Sequence, residues 1–138
     1  MAVKFTTSKA EASHIRVLVF GRSGAGKTTM IKTAPKPVIL TSEKKLFALK
    51  DVEIPTMIIE SVEDMEEAVD FLATSKKARK FETVCIDSLS DIAETQLADL
   101  KKQYTDPRRA YGDLADIIFE QLRKLREIES KHIYALTF

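Results

Sequence analysis

Residues 21–28, GRSGAGKT, constrain this chain more than any other stretch of it. They satisfy the pattern G-x-x-x-x-G-K-[ST] in the context it requires, with an apolar run before and a helical pattern after. The run is residues 15–20, IRVLVF, as expected of a strand buried on both faces of a parallel sheet. Three of the chain's four glycines, Gly21, Gly24 and Gly26, fall in this window. Glycines there let successive N–H groups turn inward, forming an anion nest beside a helix N-terminus. Gly21, Arg22, Ser23, Gly24, Ala25, Gly26, Lys27, Thr28 and Thr29 are therefore the candidate phosphate-binding loop. In it Lys27 reaches the β- and γ-phosphates as a point charge, and the Thr28 hydroxyl ligates Mg²⁺.

The rest of the chain alternates strand and helix patterns. A short helix from Lys27 to about Thr33 is ended by Pro35 and Pro37, and residues 38–41 (VILT) and 55–60 (PTMIIE) read as the second and third strands. Ser61 and Asp64 match a capping pattern, and the helix they open carries Val62, Met65, Val69 and Leu72 at spacings of three and four. A fourth strand, TVCI, ends in Asp87. Leu89, Ile92, Gln96, Leu97, Leu100 and Tyr104 then trace a helical face. Residues 104–112, YTDPRRAYG, contain Pro107 and read as a loop. Leu114, Ile118, Leu122, Leu125 and Ile128 define another long helix, and residues 132–138, HIYALTF, the fifth strand. This order predicts an α/β fold with a mainly parallel sheet flanked by helices over residues 14–138, behind a flexible arm of residues 1–13. The pattern stops on a strand, so the core is either truncated after its fifth strand or completed by partners.

Composition narrows the function classes. The 22 basic and 21 acidic side chains give a net charge of +1, which excludes a polybasic or polyacidic tail protein. A single cysteine, Cys85, excludes a disulfide within the chain and reads as a core residue. No run approaches the ~18 apolar residues of a membrane span, and residues 1–16 lack a signal-peptide pattern, so a cytoplasmic protein without membrane contact is expected. His14 and His132 lack metal-ligand spacing, and the basic run KKARK reads as solvated surface.

A nucleotide site needs an acid at the end of a buried strand, and Asp87 fits, because a carboxylate there can hold Mg²⁺ through its water shell. Glu43 lies just beyond the second strand, where ligands of open α/β sheets bind and where a general base can reach an attacking water. Its competing reading is a surface glutamate beside Lys44 and Lys45.

In order and spacing, residues 15–138 resemble the RecA-type P-loop ATPases, most closely the phage-encoded RecA-like single-strand annealing proteins. GRSGAGKTT resembles Walker A, VILTSEKKL the strand that delivers a catalytic glutamate, IPTMIIESVEDMEEAVDFL the strand and helix that follow it, and TVCIDSLSDI Walker B. The resemblance implies a RecA-like core that binds ATP and Mg²⁺, with Lys27 and Glu43 catalytic and Thr28 and Asp87 on the metal. It further implies a homo-oligomer with nucleotide at subunit boundaries, action on single-stranded DNA in recombination or annealing, and residence in the host cytoplasm. The HIYALTF strand would sit between the phosphate-loop and Walker B strands, leaving the far side of the first strand without a neighbour. Where the family carries a polar sensor at the tip of that strand, this chain has Thr137 and then Phe138.

By the same resemblance YTDPRRAYG is the loop that faces DNA, with Arg108 and Arg109 for phosphates and Tyr104 and Tyr111 for stacking on unpaired bases. The competing reading is a charged surface loop whose tyrosines pack against neighbouring helices. Two other functions stay open: a small-molecule kinase, which needs an acceptor pocket and a lid, and a non-catalytic nucleotide-gated interaction module. A GTPase switch is disfavoured by the absence of N-K-x-D.

Overall fold

Five short apolar runs form one sheet, in a computed structural model that describes residues 3–5, 14–22, 26–44 and 49–137. The strands are β1 (Arg16–Phe20), β2 (Pro37–Thr41), β3 (Thr56–Ile58), β4 (Thr83–Asp87) and β5 (His132–Thr137). Their order is β1-β5-β4-β2-β3, with every pair parallel. The fifth strand thus lies between the first and the fourth, as expected. Pro37 opens β2, where its missing N–H breaks no interior ladder bond.

β4 occupies the centre. Val84, Cys85 and Ile86 are fully buried, and their side chains alternate between two clusters. Val84 and Ile86 join Val38, Leu40, Met65, Val69, Ile92 and Leu125 beneath α1 (Val62–Thr74), α2 (Leu89–Gln103) and α3 (Pro107–Arg126). Cys85 packs on the opposite face with Ile31, Ile39, Leu49 and Leu136. That second layer is thin, built on a 3₁₀ helix (Thr28–Thr33) and the segment around Leu49. The short helix expected after the phosphate loop is present, begins at Thr28 with Lys27 as its N-cap, and is of the 3₁₀ type.

Two expectations are corrected. β1 is not buried on both faces: among the described residues it pairs only with β5, and Leu18 and Phe20 are 59% and 75% exposed. Edge position accounts for this, since an apolar run reports affinity for a core and carries no information on which strands flank it. YTDPRRAYG is not a loop, because α3 starts at Pro107 and contains Arg108, Arg109, Tyr111 and Gly112. Proline at the first helical position sacrifices an N–H that has no intrahelical partner anyway, and Asp106 caps the start by accepting from the Arg108 N–H at 3.0 Å. The helix therefore begins seven residues, about two turns, before Leu114.

α2 and α3 form an antiparallel hairpin locked by amides. Gln96 and Gln121, both buried, exchange side-chain hydrogen bonds of 3.1 and 2.6 Å. The end of α3 is pinned at the amino edge of the sheet, where Arg16 donates from Nε to the Arg126 carbonyl at 2.8 Å. Twenty residues of helix span about 30 Å against about 20 Å for a six-residue strand. α2 starts directly after Asp87 at the carboxyl edge and α3 ends at the amino edge, so the turn at residues 104–106 lies at the end of the hairpin away from the amino edge.

The paired amides give the first prediction. Gln96→Leu alone strands the Gln121 amide in the core and should cost about 1–3 kcal/mol in urea unfolding, whereas the Gln96→Leu, Gln121→Leu double variant should recover most of that loss.

Candidate nucleotide-binding site

Parallel strands bring their carboxyl ends to one edge, and the candidate residues gather there. Gly21 follows β1, Asp87 ends β4, and Glu43 stands two residues past β2. Gly26 adopts φ +90°, a conformation that an L side chain resists, which explains this glycine. Ser23, Gly24 and Ala25 lie outside the described residues. Lys27 folds over its own loop, its ammonium donating to the carbonyls of Gly21 at 2.5 Å and Arg22 at 2.8 Å. Thr29 is exposed on the 3₁₀ helix that follows.

Asp87 is held above the ordinary carboxylate range. Burial raises its pKa most; a hydrogen bond with Thr28 and the charge of Lys27 pull the other way, and the charge of Asp91 adds to the rise. Its Oδ2 is buried with no hydrogen-bond partner. A buried carboxylate oxygen without a partner, beside the Thr28 hydroxyl and the Lys27 charge, fits a hydrated divalent cation. Among the described residues no group of three or more His, Cys, Asp or Glu could hold a metal alone. The cation would thus be shared between Thr28, Asp87 and a bound phosphate.

Glu43 is exposed, and its backbone N–H donates to the Thr41 hydroxyl at 3.1 Å. Its pKa is also raised, first by partial burial and then by the charges of Asp91 and Asp87. This coupling brings Glu43 to the same cluster, though its surface position matches the competing reading too. Asp91 is the acid that reading the sequence missed. It sits in the first turn of α2, accepts from the Ser88 hydroxyl at 2.7 Å, and returns its backbone N–H to the same oxygen. Ser88 and Asp91 repeat the S-x-x-[DE] cap recognised at Ser61 and Asp64, so a second pass for that pattern would have found them. Nearby, the Ser90 and Thr137 hydroxyls share a hydrogen bond of 2.5 Å, tying α2 to the tip of β5.

The four residues expected to face DNA are gathered at the hairpin turn. They form a network with α2: the Arg109 guanidinium lies 5.1 Å from the Tyr104 ring and 3.9 Å from Asp113, which accepts from the Tyr104 hydroxyl at 2.6 Å. Lys101 stands 4.9 Å over the Tyr111 ring. Tyr104 is partly buried in this network, while Tyr111 and Arg108 remain exposed.

A family model described as AAA domain matches residues 13–137. This chain belongs to that AAA-domain family. It is a nucleotide-binding P-loop NTPase domain, with the matched region spanning every strand of the sheet and the whole site. No curated protein matches its sequence. Among the described residues, no helix of this AAA domain is long and apolar enough to cross a membrane.

Because the folded pKa of Asp87 lies above the ordinary 3.8, the folded state keeps this proton to higher pH than the unfolded chain, and stability falls as pH rises through that window. In nucleotide-free protein, Asp87→Asn should raise the Tm at pH 7, with the gain closing as pH falls toward 3.8, the ordinary value. Thermal melts at several pH values check this, and the same variant should need more Mg²⁺ to bind nucleotide.

Proposed function

We propose that this AAA domain hydrolyses ATP with Mg²⁺ and acts, as a RecA-like protein of the phage recombination type, on single-stranded DNA. The observation that carries the hydrolytic reading is the buried, unpartnered Asp87 oxygen at the same edge as Lys27, Thr28 and Glu43. In this reading the loop N–H groups cradle the phosphates, and the Lys27 ammonium exchanges its two carbonyl acceptors for phosphate oxygens. Thr28 and Asp87 hold the cation, which neutralises charge on the β- and γ-phosphates when bound. Glu43 takes the proton of the attacking water, and its raised pKa suits that task.

The hairpin supports the DNA part. Lys101, Lys102, Arg108 and Arg109 cluster with Tyr104 and Tyr111 at a turn that lies away from the amino edge. Cations already stacked on phenol rings form a platform whose outer faces suit phosphates and unpaired bases. The bare β1 edge, with Leu18 and Phe20 exposed, supports assembly into a homo-oligomer, which in RecA-type proteins puts nucleotide at subunit boundaries.

Lys27→Ala should abolish binding of a fluorescent ATP analogue. Glu43→Gln should keep that binding but lower turnover about 10²-fold or more. Equal turnover in wild type and Glu43→Gln would place the base elsewhere. For DNA, Arg108→Ala with Arg109→Ala should flatten the salt dependence of oligonucleotide binding by about one to two phosphate equivalents, measured with ATP present. An unchanged slope would remove the hairpin turn from the DNA site.

A further inference from the structure

The basic run KKARK folds as a 3₁₀ turn, Lys76–Lys80, with Lys76, Lys77, Arg79 and Lys80 exposed and Ala78 buried. Among the described residues none of these four cations pairs with a carboxylate. Lys80 lies 5.2 Å over the Phe81 ring, and Glu82, the nearest acid in sequence, is drawn to Lys36 at 3.9 Å. Lys36 and Lys80 line one cleft with Phe81. The turn precedes β4 and so stands at the amino edge of the sheet, apart from the hairpin turn. Register aligns Pro37, Thr83 and His132 across β2, β4 and β5, which sets Lys36, Glu82 and Lys131 side by side one position earlier. The Glu82 N–H donates to the Lys36 carbonyl at 3.1 Å and the His132 N–H to the Glu82 carbonyl at 2.8 Å, so backbone bonds fix this row.

Lys131 adds a cation from beneath. It is 3% exposed, and its ammonium donates to the Ala78 carbonyl at 2.6 Å and to the Phe81 carbonyl. Burial lowers its pKa, and among the described residues no carboxylate pairs with it. At the other end of the turn the Ser75 hydroxyl accepts from the Lys77 N–H at 3.2 Å. A turn pinned at both ends presents its cations with little backbone ordering left to lose on binding. The five residues of β4 separate it from Asp87 by about 15 Å, roughly twice the screening length at physiological salt. Acids at the nucleotide edge therefore cancel little of this charge for a ligand at the amino edge.

We propose that the turn Lys76–Lys80, with Lys36 beside it, binds the phosphate backbone of double-stranded DNA without reading its bases. Its chemistry selects among polyanions. A lipid surface is held by cations together with apolar side chains that enter the bilayer, and the apolar residues here, Ala78 and Phe81, are 1% and 9% exposed. A single strand gains from open aromatic rings such as Tyr111 of the hairpin turn, and this turn carries none. A duplex needs only cations against its phosphates and offers the denser charge, one per about 1.7 Å of its axis. The proposal depends neither on ATP hydrolysis nor on the hairpin as a single-strand contact.

The test is fluorescence anisotropy of the intact chain with a labelled duplex, without nucleotide, between about 50 and 200 mM salt. Four phosphate contacts predict about a 10²-fold loss of affinity over that range. The fourfold variant Lys76→Gln, Lys77→Gln, Arg79→Gln, Lys80→Gln should flatten the slope of log affinity against log salt by about three to four, whereas Arg108→Ala with Arg109→Ala should leave it unchanged. A thermal melt shows whether the fourfold variant is folded; if it is not, Lys77→Gln with Arg79→Gln takes its place and should flatten the slope by about two. No duplex binding at the lowest salt, or a slope that these variants leave unchanged, overturns the proposal. Equal or tighter binding to phosphatidylserine vesicles at the same anionic charge also overturns it, making a lipid surface the partner. Because no nucleotide is present, these outcomes are separate from the fate of the phosphate-loop reading.

Discussion

The register of β4 between β5 and β2 is the constraint on which the rest of the molecule depends. Val84 and Ile86 enter one cluster and Cys85 the other, each with no exposed surface. A slip of one residue would exchange the two faces, placing Cys85 under the helices and two larger aliphatics against the thin layer. The same slip would carry Asp87 away from Thr28. Hydrophobic burial in the middle of the strand thus sets the position of a carboxylate at its end, and the site gains its accuracy from groups that take no part in its chemistry.

That accuracy is obtained at an electrostatic cost. Asp87 is desolvated, and the charge of Asp91 makes both Asp87 and Glu43 harder to ionise. Lys27 and Thr28 offset part of this for Asp87, yet Oδ2 keeps no partner. A core built for stability alone would place an amide or an aliphatic group there. A carboxylate there makes physical sense where a cation would complete the arrangement.

The strand ends were legible in the sequence because each apolar run stops abruptly, at Gly21, Asp87 or the Thr41–Ser42 step, and parallel strands put all such stops on one edge. Strand order was not legible from periodicity; it came with the family resemblance. The exposure of β1 was hidden for a related reason: an edge strand and a central one share the same aliphatic run until their neighbours are known. α3 was lost at its start because Asp-Pro signals both a turn and a capped helix, and what decides is whether apolar spacing continues upstream, which Ala110 does only weakly. The Ser90–Thr137 bond joins residues 47 apart and had no local signal at all.

Gln96 and Gln121 show how a polar interruption in a helical face becomes informative once its partner is found. Two helices packed through aliphatic side chains alone can shift along each other at small cost, whereas two amides that exchange both hydrogen bonds satisfy one another in a single register. That register determines where the turn after α2 lies relative to the sheet. At one end of α2, Ser88, Ser90 and Asp91 are rooted beside Asp87 and the tip of β5; at the other, Lys101 stacks on Tyr111 of α3. The helix is therefore tied at its base to the nucleotide edge, at its middle to α3, and at its tip to the basic, aromatic turn. Any contact at that turn bears on a body continuous with the strand end that carries Asp87.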